Sequence, residues 1–156
     1  MLKLKIAVLS INNLTDARYF AAYGVDYLGF DLNTESDDFL GFDKIKEIVE
    51  WVEGPKTLGQ LTDVSGKNLF DEVLKLDAVC DQKVIVDGEA EYPIIDFVQG
   101  GFSKGMFIDG FDGVEDIQFI IEQGLDLGLV LRGGDETKVG VKTYDELDAI
   151  FELLLP

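Results

Sequence analysis

The stretch from Leu9 to Ile48, LSINNLTDARYFAAYGVDYLGFDLNTESDDFLGFDKIKEI, constrains the fold more than any other part of the chain. It continues an apolar run, LKLKIAVL, that predicts a strand over Lys3–Leu9. Asn13 then stands where a helix N-cap belongs, with Asp16 in the first turn. Leu14, Ala17, Phe20 and Ala21 fall on one face at helical spacing, and Gly24 closes the helix. A second short strand follows over Asp26–Leu32, then a long acidic connection. Next comes a helix presenting Ile45, Ile48, Val49 and Val52, stopped at Gly54-Pro55. The order is strand, helix, strand, loop, helix, with the long loop at the C-terminal end of a strand.

The remainder repeats this alternation. Lys56–Leu61 reads as the third strand, and Leu69, Val73 and Leu76 predict a helix over roughly Gly66–Leu76. Ala78–Cys80, Val84–Asp87 and Ile94–Val98 are strand candidates with too few residues between them for ordinary helices. The pattern returns with Met106–Asp109, a helix carrying Val114, Ile117, Ile120 and Ile121, and a last strand, Leu127–Leu131. Thr143 and Glu146 form a capping box for a terminal helix with Leu147, Ile150, Leu153 and Leu154. Eight strands alternating with helices imply a parallel sheet. A full barrel of this kind takes about 200 residues or more, so the chain predicts an abbreviated (βα)8 TIM-type barrel, α/β in class. Its fourth to sixth helices are reduced to turns. The alternatives are an open barrel completed by dimerising and a doubly wound sheet, although the G-x-G-x-x-G fingerprint is absent.

Residues 1–156 read as one domain, with 47% apolar residues to fill a core. No apolar run has membrane-spanning length, and MLKLKIAVLS is shorter than a secretory leader. The single cysteine, Cys80, forbids an internal disulfide and fits a reducing compartment, so a cytoplasmic location is expected. A net charge of −18, from 31 acidic and 13 basic residues, repels nucleic acid and anionic lipid and favours solubility. No histidine is present, which removes the usual neutral-pH proton shuttle and the commonest transition-metal ligand. No metal or cofactor is called for by any motif.

The order N-L-x-D-A at Asn13–Ala17, G-x-D-x-L-G-F at Gly24–Phe30 and an aromatic before the second helix resembles the N-terminal quarter of phosphoribosylanthranilate isomerase. That family is a (βα)8 barrel of tryptophan biosynthesis catalysing an Amadori-type aldose–ketose isomerisation. The resemblance runs clearly over residues 3–60 and 105–154 and is faint between. It implies a catalytic cysteine at the position of Leu9, a glycine at Ser10, a substrate-contacting arginine at Asp38 and an aromatic at Phe39. Leucine neither takes nor gives a proton. A carboxylate at position 38 inverts the interaction with any anionic group.

In such barrels the working groups lie where strands end. The turn Arg132-Gly133-Gly134-Asp135-Glu136, followed by Gly140-Val141-Lys142, is similar to the family's final phosphate-binding segment at Gly134, Glu136, Gly140 and Lys142. In the preceding turn the family has two glycines where this chain has Asp109-Gly110, so a carboxylate faces the phosphate position and Arg132 is available to offset it. Gly110, Gly113, Arg132, Gly133 and Gly134 are the candidate phosphate-binding residues, or else these glycines serve turn geometry alone. The resemblance also implies a general-acid aspartate in the middle of the chain. Asp96 is the nearest candidate, with Asp87 behind it, and Asp96 with Asp109 makes a candidate acid–base pair. Asp31, Glu35, Asp37 and Asp38 form either a cation site or a solvated acidic loop.

Three readings follow. The first is an isomerase-like pseudoenzyme with a remnant site for a phosphorylated small molecule. The second is a working sugar-phosphate isomerase using aspartates. The third is an interaction module or homodimer whose shortened middle, crowded by Phe97, Phe102, Met106 and Phe107, is covered by a partner.

Overall fold

The computed structural model describes residues 2–70, 73–133 and 141–156. Eight strands form a closed barrel in sequence order. They are β1 (Lys5–Leu9), β2 (Tyr27–Asp31), β3 (Lys56–Gln60), β4 (Ala78–Cys80), β5 (Val84–Asp87), β6 (Ala90–Asp96), β7 (Phe107–Asp109) and β8 (Gly128–Arg132). The described α-helices are α1 (Leu14–Tyr23), α2 (Phe42–Trp51), α3 (Val114–Glu122) and α4 (Tyr144–Leu154). Closure between β1 and β8 runs from Lys5 opposite Gly128 to Leu9 opposite Arg132. The abbreviated barrel is therefore real, and neither the open barrel nor the doubly wound sheet survives.

Local signals set the helix ends. Asn13 accepts the Asp16 N–H at 2.7 Å, and Gly24 terminates α1 at φ 82°. Thr143 and Glu146 make both bonds of the capping box on α4. The expected helix over 66–76 is instead a 3-10 helix at Val64–Phe70. Further along, Leu76 packs over Gly59, where a Cβ would lie 2.7 Å from the leucine methyl. That close approach brings the segment onto the strand without a full helical layer.

The shortened middle departs further from expectation. β5 is antiparallel to both β4 and β6, while every other neighbour pair is parallel. A parallel crossover needs about a dozen residues, and only 81–83 and 88–89 link these strands. Hairpins are the connections that fit. Gly88, at φ 62°, supplies the left-handed turn of the second one. The inversion carries Asp87 to the end of the barrel where the other strands begin, far from the candidate site with which it had been grouped. There it accepts the Tyr27 hydroxyl and the Lys56 ammonium, each at 2.7 Å.

Alternation along the strands divides the core in two. Ile6, Val8, Leu28, Phe30, Ile108, Leu129 and Leu131 face the helices. Ala7, Leu9, Tyr27, Leu58, Ala78, Cys80, Ile85, Phe107 and Val130 fill the barrel interior. Phe107, expected among an exposed aromatic group, is thus internal at 1% exposure. Phe97 and Phe102 pack against the outer core and meet the Phe119 ring. Among the described residues no helix is long and apolar enough to cross a membrane.

Candidate functional site at the barrel mouth

The same alternation that points Ala7 and Val130 inward carries Leu9, Asp31, Gln60, Cys80, Asp96, Asp109 and Arg132 to the C-terminal ends of their strands. They line a cavity of about 850 Å³. Register ties them into a ring: Leu9 lies beside Arg132, Asp31 beside Gln60, Gln60 beside Cys80, and Asp96 beside Asp109. The inverted β5 adds Lys83 and Asp81 from the first hairpin turn.

Arg132 and Asp109 dominate the electrostatics. Arg132 donates from Nη1 to Asp109 Oδ1 at 2.6 Å and from Nη2 to Oδ2 at 2.7 Å. Gly110 N–H donates to the same Oδ1 at 2.8 Å. Burial pushes the Asp109 carboxyl up, but the Arg132 hydrogen bonds and charge, with Gly110, outweigh it and hold it below the usual carboxylate range. The pairing with Asp109 in turn raises Arg132 above its ordinary value against the opposing effect of burial. Asp109 is thus an ionised acceptor with little capacity to take another proton.

Leu9 is 8% exposed and belongs to the interior cluster, so the position that the resemblance assigns to a base is a packed hydrocarbon. Ser10 beside it holds φ 58°, a left-handed conformation that favours the glycine the resemblance implies. Gln60 fixes this turn by accepting the Ser10 N–H and donating to Ser10 Oγ at 3.3 Å. Gly29 makes room for both Leu9 and Gln60, whose atoms lie 3.0 and 3.1 Å from where its Cβ would be. Cys80 is buried, which pushes its thiol up to about 12 with help from nearby Asp81 and Asp31. It carries no thiolate at neutral pH.

Asp96 opens onto the same cavity but is exposed, and its Oδ1 accepts the Val98 N–H at 2.9 Å. Its other oxygen leans over Gly110, where a Cβ would lie at 2.5 Å, so a side chain there would collide. Asp112 N–H donates to Asp116 at 2.7 Å, and Gly113 begins α3 without a side-chain cap. Gly133 is buried and donates to the Leu9 carbonyl at 2.9 Å. It borders a smaller cavity of about 190 Å³, lined also by Arg132, Lys142 and Asp16. Tyr144 donates to the Asp16 carboxylate there. Gly134, Glu136 and Gly140 lie outside the described residues. Asp38 sits in the turn after β2, its N–H donating to Ser36 Oγ at 3.2 Å, and does not line the cavity. Among the described residues no three carboxylates or thiols converge to hold a metal ion.

Asp96, Asp109 and Arg132 are therefore brought together at one cavity. Gln60 and Lys83 were missed. Gln60 shares the inward parity of Leu58, a signal available in the sequence. Lys83 becomes visible only once β5 is known to run backwards.

No family model matches the chain, and no curated protein matches it significantly. Solved structures do. A phosphoribosyl anthranilate isomerase from Thermus thermophilus superposes with a TM-score of 0.68 at 17% identity, covering 96% of this chain and 98% of its own. The chain has the phosphoribosylanthranilate isomerase fold. A monomeric form of the dimeric enzyme from Thermotoga maritima gives 0.67 at 16% identity, with 96% and 97% covered. A phosphoribosyl anthranilate isomerase in complex with reduced 1-(o-carboxyphenylamino)-1-deoxyribulose 5-phosphate gives 0.64 at 17%, with the same coverage.

Proposed function

We propose that this chain is a single-domain, phosphoribosylanthranilate isomerase-like pseudoenzyme. Its barrel mouth survives as a binding cavity while the Amadori-type isomerisation is lost. One observation carries the reading: β1 ends in Leu9, packed in the barrel interior, where the resemblance implies the proton-transferring cysteine. Cys80, the only thiol in the chain, is held protonated and offers no replacement. A fold outlives its chemistry when the scaffold residues persist and the reacting ones change.

The ligand class this reading supports is a phosphorylated small molecule. Its phosphate would be received by Gly110, Gly113, Arg132, Gly133 and Gly134, in keeping with the 5-phosphate compound carried by a protein of this fold. The reading includes a cytoplasmic location, no cofactor, and no nucleic-acid partner because of the −18 charge. The register pairing of Asp96 with Asp109 favours a second reading, a sugar-phosphate isomerase working on carboxylates, with Asp96 as its proton carrier.

Turnover of phosphoribosylanthranilate, followed by chromatography against a protein-free control, tests the choice. The pseudoenzyme reading expects no turnover above the control. Turnover that disappears in Asp96→Asn would overturn it and establish the second reading.

A further inference from the structure

In the turn after β7, the chain's own carboxylates already occupy the donors that an incoming anion would need. Asp109 holds both terminal nitrogens of Arg132 and the N–H of Gly110. Asp116 takes the N–H of Asp112. Bidentate pairing is the geometry in which guanidinium binds phosphate as well as carboxylate, so one occupant excludes the other. The pair is neither deeply buried nor fully solvated, with side-chain exposures of 34% for Arg132 and 27% for Asp109. Water screens it enough for exchange, and the surrounding barrel wall keeps the two groups in register. Arg132 also borders both the mouth cavity and the smaller cavity beside Gly133.

We propose that Asp109 is an internal competitor for the anion position at the barrel mouth, so that a phosphate reaches Arg132 only by displacing the Asp109 carboxylate. This rests on the reading of the mouth as a binding cavity and makes Asp109 its specificity-determining residue. With the pair intact, a phosphate monoester binds the mouth more weakly than it does once the carboxylate is gone. Removing the carboxylate while keeping the guanidinium frees both terminal nitrogens and strengthens the anion site.

The experiment is calorimetric titration of the full chain with inorganic phosphate and with ribose 5-phosphate, at neutral pH and low salt. The proteins are wild type, Asp109→Asn, Arg132→Ala and the double variant. Asp109→Asn is expected to bind phosphate at least about tenfold more tightly than wild type, because a charge-assisted bidentate site is released. Adding Arg132→Ala should abolish that gain. Equal affinity of wild type and Asp109→Asn overturns the proposal, as does a gain that persists without Arg132. Asp109→Ser, which keeps a hydroxyl for the Gly110 N–H, must reproduce the gain if the asparagine variant does not fold. Turnover of phosphoribosylanthranilate would refute the pseudoenzyme reading while leaving this coupling intact. Absence of the coupling, without turnover, would refute the competitor alone.

Discussion

Tyr27 and Asp87 meet across the floor of the barrel, the phenol donating to the carboxylate at 2.7 Å. Tyr27 opens β2 whereas Asp87 closes β5, and the two reach the same end because β5 is inverted. Lys56 joins them at 2.7 Å, so the hairpin that replaces two crossover helices is tied to the parallel part of the barrel through one carboxylate.

That arrangement sets an alkaline limit on stability. Burial raises the Tyr27 hydroxyl first, and its bond to Asp87 adds to the rise. A phenol raised in the folded state contributes stability that is fully present below the unfolded value, about pH 10. It is lost as the pH climbs from there toward the folded value. Tyr27→Phe cannot ionise, so its urea-unfolding free energy should fall less steeply than wild type above about pH 10. A residual slope should remain from Tyr19, which burial and its bond to Asp148 also raise. Parallel losses in the two proteins would contradict this account of the floor.

The contrast between the two ends of the chain shows what the sequence could convey. Asn13, Gly24, Thr143 and Glu146 announce helix ends because capping is chemistry between near neighbours in sequence, and all four act as read. The direction of β5 is not encoded in its alternation, since a strand reads the same on either heading. Only the short links at 81–83 and 88–89 carry that information, through the geometry of turns. Leu69, Val73 and Leu76 keep helical spacing, yet Val64–Phe70 forms a 3-10 helix and Leu76 lies against Gly59, a tertiary outcome that local periodicity does not record. At the mouth, Asp109 was legible as a strand end and Arg132 as the first residue of the last turn, but their bidentate union depends on barrel closure.

Stability at the mouth should show strong coupling. Asp109→Ala and Arg132→Ala are each expected to cost about 1–3 kcal/mol by leaving a partly buried charge without its partner. Partial exposure of the pair favours the lower end of that range. In a double-mutant cycle the combined loss should fall short of the sum by at least about 0.5 kcal/mol. The sign with pH is fixed as well. Arg132 holds Asp109 low, so the contribution is present above the unfolded carboxylate value and is lost as pH falls through the folded one. Without Arg132, burial outweighs the remaining Gly110 bond and raises Asp109, and acid unfolding should begin at higher pH. Strict additivity, with unchanged acid behaviour, would mean that the two charges do not stabilise each other.

Gly128 tests the packing of the interior. It stands opposite Phe107 in the β7–β8 register, and a Cβ there would lie 2.5 Å from two ring carbons. The ring is walled by Tyr27 and Tyr92 and has no simple escape. Gly128→Ala should therefore cost about 1–3 kcal/mol by overpacking, and Phe107→Leu in the same chain should recover part of it. Urea midpoints at constant m-value measure both effects. An alanine variant as stable as wild type would show that the ring moves freely.

Cys80 provides a reporter for opening of the whole barrel. It is 1% exposed, ends β4 between Gln60 and Ile85, and its thiol is pushed up to about 12. Because the thiolate is the reactive form, alkylation of the native protein at neutral pH should be slow by both access and ionisation. In unfolding concentrations of urea the same thiol should react at the rate of a model peptide. Between those limits, the labelling rate should track the equilibrium fraction unfolded when reclosing is faster than alkylation. Rapid labelling in the absence of denaturant would show that the β4–β5 hairpin opens locally. The inverted strand, rather than the β1–β8 closure, would then be the weakest seam of the barrel.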